Sequence, residues 1–492
     1  MPEYMLFIVI LLPMLTGVVF PILPIKKRSY RLLFLEILVV LNSVFVWMLL
    51  LNRPESGFTL AHFTGDLTIT FKMDGMSMVF AGLVSALWPL ATLYSFEYMT
   101  KEKRENMFFM FYTVSYGVTL GIALAGNLLT MYFFYELLTL VTVPLVMHTM
   151  TREAILASRK YLYYSIGGAA FGFIGMIFMI IYGTTLDFAL GGVLDLVKIG
   201  DRTNILLLVY VMAFLGFGVK AAICPFSSWL PQAGVAPTPV TALLHAVAVV
   251  KAGAFAILRL TYYCYGTDFL RGSWAQYVTM AIAMFTIVYG CSRAVKETHL
   301  KRRLAYSTIS NLSYIIFGAT IMTPLGMVGA LSHMVFHAVM KICSFFCAGA
   351  IMHQTEKHYV HELDGLGKQM PMIFGIFTVS SLALMGVPGL AGFISKWNLA
   401  YAAIESGNPL AFGGVGCLLI SALLTAIYML TIVVRGFFVK SKVTEANEKQ
   451  DYHDPNWMML LPLGIFAAAI VLFGLFSTPL VNFLTDVASG LY

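Results

Sequence analysis

Charge is scarce in this sequence. Of 492 residues only 11% are Asp, Glu, Lys or Arg, against 59% hydrophobic, and the mean hydropathy is +0.84. Soluble domains carry about a quarter charged residues, so that class is excluded and the chain is read as a polytopic membrane protein. Its formal charge of +7 is then explained by a membrane surface rather than by nucleic acid. The six cysteines form no CxxC or ferredoxin-like spacing, which argues against iron-sulfur clusters. Cys343 and Cys347 share a helical face, but no further thiolate stands near them, and they read as packing residues. There is no Walker loop, dinucleotide fingerprint or haem-attachment motif, and no hydrophilic stretch long enough for a cofactor domain. No cofactor, metal, redox or hydrolytic site is therefore expected in this chain, and energy must come from an ion gradient or from partner subunits. The first apolar stretch is not a secretory signal. Glu3 precedes it and Lys26, Lys27 and Arg28 follow it, the reverse of a signal's charge order.

Hydrophobic runs, by contrast, are abundant. A crossing needs about 20 mostly apolar residues, and this predicts an all-α membrane domain over 1–492 with about fourteen transmembrane helices. They run near 4–24, 31–51, 74–96, 107–126, 128–150, 158–183, 204–224, 240–265, 273–293, 303–323, 325–352, 371–403, 410–438 and 457–486. Residues 58–72 are expected to form a hairpin outside the membrane, and 186–197 an amphipathic interfacial helix. Basic residues test this map independently. With the N-terminus outside, only Arg53, Lys72, Lys198, Arg202 and Arg271 lie in outer loops. Another six, Lys220, Lys251, Arg259, Lys341, Lys396 and Arg435, fall in helices or at their rims. The remaining 20 of 31, Lys301, Arg303, Lys442 and Lys449 among them, lie inside. The asymmetry predicts a multi-pass protein of the cell membrane with both termini outside.

Two helices are expected to be broken. Pro225, Pro231, Pro237 and Pro239 interrupt the chain after the seventh helix, and Gly386-Val387-Pro388-Gly389 interrupts the twelfth. Proline removes a donor and clashes with the preceding turn, which a membrane tolerates only where protein or water lines the break. Each break lies near a GFxxK pattern followed by a tryptophan: Gly216 to Lys220 with Trp229, and Gly392 to Lys396 with Trp397. Corresponding interruptions in two halves point to an inverted repeat, here 107–265 and 273–438, followed by the helix at 457–486.

The rare intramembrane charges are the candidate functional residues, because such groups usually line an ion or proton path. Glu136 in the fifth helix can be a proton carrier, a counter-ion to Lys220, or a hydrogen-bonded packing residue. Lys220 and Lys251 invite proton exchange, since a desolvated ammonium gives up its proton more readily, with snorkelling as the bland alternative. His333, His337 and Lys341 recur at i, i+4 and i+8 and so share one face of the eleventh helix. His245 does not share a face with Lys251; it either hydrogen-bonds across helices or lies on the same path.

Pro237-Thr238-Pro239-Val240-Thr241-Ala242-Leu243-Leu244-His245-Ala246, followed by Val250-Lys251-Ala252-Gly253, resembles the signature of the antiporter-like subunits. That family is shared by respiratory complex I, Mrp-type multisubunit cation/proton antiporters and energy-converting membrane hydrogenases. Lys220 with Pro225 and Trp229-Leu230-Pro231, the run Lys301 to Thr308, and His337-Ala338-Val339-Met340-Lys341 match in order and spacing. The resemblance implies fourteen helices, hydrophobic partner subunits in the bilayer, and transport of protons, alone or in exchange for Na⁺. It implies a modulating pair in Glu136 and Lys220, a central axis through Lys251, His333, His337 and Lys341, and a terminal proton-exchanging site at Lys396. It also leaves open a place in a redox-driven oxidoreductase. The rival readings are a stand-alone Na⁺/H⁺ antiporter and a structural or assembly subunit. Asn311-Leu312-Ser313-Tyr314 departs from the family's Gln-Leu-Gly-Tyr, and Ser227-Ser228 stands where many members carry a histidine.

Overall fold

The computed structural model describes residues 2–65, 67–440 and 451–492. Lys442 and Lys449, counted above as inner basic residues, lie outside them. The helices are α1 Met5–Val19, α2 Arg28–Asn52, α3 Gly75–Tyr98, α4 Glu105–Ala123, α5 Leu128–Val146, α6 Arg152–Tyr182 and the short α7 Leu196–Ile199. Next come α8 Thr203–Lys220, α9 Trp229–Ala233, α10 Thr238–Ala242, α11 Val249–Leu258, α12 Thr267–Leu270, α13 Trp274–Lys296, α14 Leu300–Ile321 and α15 Pro324–Thr355. The last are α16 Pro371–Met385, α17 Ala391–Glu405, α18 Pro409–Phe438, α19 Trp457–Leu475 and α20 Thr478–Ala488. The single sheet among the described residues is the hairpin foreseen before α3, β1 Phe58–His62 against β2 Thr68–Phe71. Thirteen helical stretches are long and apolar enough to cross a membrane. The broken pair α16 and α17 supplies a fourteenth crossing, so the chain is a polytopic all-α membrane protein.

Polar and small residues fix where these helices begin and how closely they meet. Asp74, Asn127, Thr151 and Ser273 cap α3, α5, α6 and α13, each accepting the backbone N–H three residues on. A Cβ at Gly117 would lie 2.3 Å from Ile10 O, so α1 is packed tightly on α4 as an integral part of the bundle. The stretches Thr238–Tyr265 and Pro324–Thr355 are buried over their whole apolar windows, whereas Trp457–Leu475 is only 28% buried. The two charge-bearing stretches thus form the interior, walled from lipid by their neighbours.

Three expectations need correction. Residues 186–197 do not form an interfacial helix. Gly191 and Gly192 both adopt φ +97°, and Phe188 N and Val193 N donate to Gly126 O and Cys264 O, holding the segment extended across helix ends. The helix expected at 457–486 ends at Leu475. Phe476 leaves helical geometry and Pro479, in the first turn of α20, starts a separate element. Lys301 and Arg303 are not loop residues but lie in the first turn of α14, nearly enclosed. Lys301 donates to Ala236 O at 2.9 Å and Arg303 to Glu297 O at 2.7 Å, so both satisfy carbonyls at chain breaks.

A buried ion pair escaped the sequence reading. Arg259, fully enclosed, donates to both carboxylate oxygens of Asp74 at 2.5 and 2.7 Å and to Ser77 Oγ at 2.9 Å, tying the start of α3 to the end of α11. Asp74→Ala should destabilise the protein by roughly 3–5 kcal/mol, because it strands a buried guanidinium. The readout is the thermal unfolding midpoint in detergent. Asp74→Leu combined with Arg259→Met should recover part of the loss, and an unchanged midpoint in the single variant would rule out the clamp.

Candidate functional site

The first cluster forms where α8 stops in mid-bundle. Ala222 takes φ +56° and Ile223 N turns back to Gly218 O. A Cβ at Gly253 would meet Ala221 N at 2.5 Å, so α11 passes directly against this end. Trp229 donates Nε1 to Val219 O at 2.8 Å, which pins the start of α9 to the end of α8. Lys220, the last residue of α8, is fully buried at this carbonyl-rich terminus, where a cation is favoured. Its Nζ donates to Tyr135 O, lies 3.3 Å from the centroid of the Tyr135 ring, and stands 3.8 Å from Glu136 Oε1. Glu136 is brought beside Lys220 as the sequence anticipated, while its side chain keeps 27% exposure toward the bundle surface.

The central cluster joins α11 to α15. Lys251 Nζ is 2.6 Å from His337 Nδ1, whose ring stacks on His333 with centroids 5.6 Å apart. His333 Nδ1 reaches Ser395 Oγ at 2.9 Å, on α17. Lys341, two turns from His333 on the same helix, donates to Ser307 Oγ at 2.5 Å, and that hydroxyl lies 2.6 Å from Tyr428 OH. All four titratable groups are fully buried, and Nε2 of each histidine has no hydrogen-bond partner. His245 sits in a π-helical turn, Leu243–Val247, packed on the Phe345 ring at 4.9 Å with both ring nitrogens unpartnered. Pro237 precedes α10, Pro239 stands in its first turn, and Pro231 lies in α9, so the proline-rich stretch does break the chain here.

The third cluster lies at the second break. Gly386 and Gly389 take φ +94° and +85°, which carries the chain from α16 to α17 across Pro388. A Cβ at Gly392 would stand 1.8 Å from Ala383 O, so only glycine allows α17 to start there. Lys396 turns back to donate to Leu384 O at 2.7 Å and Met385 O at 3.0 Å, the carbonyls orphaned by the end of α16. Its ammonium lies 5.5 Å from the Tyr314 ring. The echo between the two breaks therefore holds for the lysines but not for the tryptophans. Trp397 is 62% exposed and stacks on Phe393, with no carbonyl to satisfy.

The relay-like order Lys251, His337, His333, Ser395 runs beside Lys396, whose neighbour in sequence is Ser395. Ser307, Ser395, Tyr135 and Tyr428 were missed by sequence reasoning. Hydroxyl residues are common in membrane helices, and only the partner helix shows which of them meets an amine. Among the described residues no three His, Cys, Asp or Glu side chains could hold a metal ion. Cys291 meets Ser310 and Ser421 hydroxyls in the packing. A lysine-imidazole-hydroxyl chain of this kind can hold, share and pass protons.

Two family models match the sequence. The one described as "NADH:quinone oxidoreductase/Mrp antiporter, TM" covers residues 125–425, and "NADH-Ubiquinone oxidoreductase (complex I), chain 5 N-terminus" covers 61–109. The "Na(+)/H(+) antiporter subunit A1" of Staphylococcus aureus strain Newman is 28% identical over 517 residues, covering 99% of this chain and 63% of that protein. The chain thus spans a little under two thirds of the length of the curated relatives it matches. Among solved structures, the Mrp complex from Dietzia sp. DQ12-45-1b superposes with a TM-score of 0.85 at 20% identity, covering 100% of this chain and 97% of that one. An archaeal membrane-bound sulfane sulfur reductase, a respiratory membrane complex, gives 0.84 at 23% identity, covering 99% and 97%. At these identities the two structures share the fold.

Proposed function

Because the chain belongs to the NADH:quinone oxidoreductase/Mrp antiporter transmembrane family, we propose that it is an ion-translocating subunit of a multisubunit membrane complex, moving protons or exchanging protons for Na⁺. The observation that carries this reading is the intramembrane series Glu136, Lys220, Lys251, His337, His333 and Lys396, in which five of the six groups touch another member. Lys341 and His245 flank it and would tune it. Two inverted five-helix units, 107–265 and 273–438, would place one lysine at each break. Relatives named as a subunit and as complexes favour hydrophobic membrane partners over a stand-alone antiporter. Purifying the native assembly and identifying its co-purifying chains tests this directly; a fully active single chain would overturn it.

Glu136 and Lys220 form the modulating pair in this reading. Glu136→Gln should reduce ion transport strongly with assembly intact, and Glu136→Asp should be milder because the charge survives. Gradient dissipation in vesicles is the measurement, and unimpaired transport in the Gln variant would refute the pairing.

Orientation follows from the basic asymmetry. Both termini of the sequence lie outside the cell membrane in this reading, so reporters fused after Arg159 and after Arg303 should report cytoplasm and one at Leu491 the exterior. A cytoplasmic signal at Leu491 would sink the fourteen-crossing topology.

A further inference from the structure

Lys341 differs from the other buried amines in the partner it meets. Lys220 has a carboxylate, Lys251 an imidazole and Lys396 two backbone carbonyls. Lys341 donates instead to the Ser307 hydroxyl at 2.5 Å, with Leu304 O more distant at 3.4 Å. No ion pair among the described residues includes it. The titratable groups around it are His337 on its own helix, Lys251 of α11, His245 of the π turn, Lys396 of α17 and Cys291 of α13. Of the helices packed on α15, α10, α16 and α19 carry no charged residue, and α14 adds only Lys301, Arg302 and Arg303. The acids of α3, α17 and α20, Glu97, Glu405 and Asp486, stand in the last turns of those helices. What holds a proton on Lys341 is therefore an uncharged partner.

The Ser307 hydroxyl begins a chain whose direction is fixed at its far end. Thr425 Oγ1 donates its one proton to Ser421 O, a turn earlier in α18, at 2.7 Å. Tyr428 OH lies 3.1 Å from Thr425 Oγ1 and must be the donor there, because Thr425 has no second proton. Ser307 Oγ lies 2.6 Å from Tyr428 OH and, by the same count, donates to it. Ser307 then offers Lys341 a lone pair and nothing else. An ammonium, with donors and no acceptor, satisfies that arrangement. A neutral amine needs a donor for its own lone pair and finds none unless Ser307, Tyr428 and Thr425 all reverse and Thr425 gives up Ser421 O. Each of these three side chains is at most 1% exposed, so bulk solvent has no share in the chain. Arg303 Nη1 donates to Tyr428 O at 3.1 Å and pins α18 at this level.

We propose that Tyr428 and Thr425 are positioning residues that act through Ser307 to hold Lys341 as an ammonium, so that Lys341 releases its proton only when the three hydroxyls turn together. The inference rests on the ion-translocating reading above and adds to it two residues of α18 that do not themselves bond Lys341.

The experiment is the pH dependence of gradient dissipation by the purified native assembly in vesicles, with assembly yield as the check on folding. Tyr428→Phe removes one oxygen and keeps both the ring and the carbonyl that Arg303 holds. It frees the Ser307 proton to turn toward the amine, so the alkaline midpoint of the profile should fall by about one pH unit. Thr425→Val leaves Tyr428 without its acceptor and sends its proton back to Ser307, which should move the midpoint the same way. Thr425→Ser keeps the hydroxyl and should restore it. A packing role predicts lower yield with the midpoint in place. Unmoved midpoints in both Tyr428→Phe and Thr425→Val would overturn the chain and leave the translocation reading standing. An unaltered rate and profile in Lys341→Gln would instead take Lys341 out of that reading, and the chain with it. Should Tyr428→Phe fail to assemble, the comparison of Thr425→Val with Thr425→Ser decides.

Discussion

Lys251→Ala should bring ion transport to background while the assembly still forms. Lys251 lies at the centre of the buried stretch Thr238–Tyr265, and its ammonium has one polar partner, His337 Nδ1 at 2.6 Å. Removing the amine leaves the second ring nitrogen of His337 unpaired as well, which costs about 1–3 kcal/mol and is tolerable in a bundle of this size. It also removes the amine that α11 contributes to the His337, His333 and Ser395 cluster on α15 and α17. A packing role predicts the opposite: a smaller apolar side chain would cost some stability and leave transport alone. Assembly yield and gradient dissipation in vesicles, measured on the same preparation, separate the two, and normal rates with Ala at this position would remove Lys251 from the path.

The helices and both breaks were legible because their physical causes are local. Runs of about twenty apolar residues announce each crossing, and the prolines near 225–239 and the Gly386 to Gly389 segment announce where the ladder must open. The central face was legible for the same reason. His333, His337 and Lys341 lie on an uninterrupted α-helix, α15, where a period of 3.6 holds. Where the period fails, the reading fails with it. The π turn at Leu243–Val247, where His245 sits, had no signal in the spacing. Segment 186–197 looked amphipathic, but its partners are backbone groups of distant loops, among them Gly126 O and Cys264 O. Asp74 and Arg259 are 185 positions apart, and each looked like an ordinary helix-end residue until the fold brought them together. The hydroxyls of Ser307 and Ser395 carry no sequence signal for a similar reason. What makes them part of the candidate site is an amine or imidazole arriving from another helix.

Lys396→Arg should keep the protein folded and abolish transport, and it is at this position that mechanism and packing separate most clearly. The sequence offered no structural partner for Lys396, yet the amine donates to Leu384 O and Met385 O, two carbonyls left open where α16 ends at Gly386. Lys396 thus has a capping duty as well as a proposed proton-exchange duty, and alanine removes both at once. A carboxylate at this position would turn acceptors toward acceptors, so any activity of Lys396→Glu should appear only where the new acid is protonated. Arginine divides the two duties. Its guanidinium supplies more donors than the ammonium and can cap the same carbonyls, but it does not deprotonate in a protein. If Lys396 only caps α16, the Arg variant should assemble and transport like the unaltered protein, and Ala should lower the unfolding midpoint. If the amine exchanges protons beside Ser395 and His333, Arg should preserve the midpoint and lose gradient dissipation in vesicles. Unaltered dissipation rates in Lys396→Arg would reject a deprotonating role for Lys396 and leave it as a helix cap.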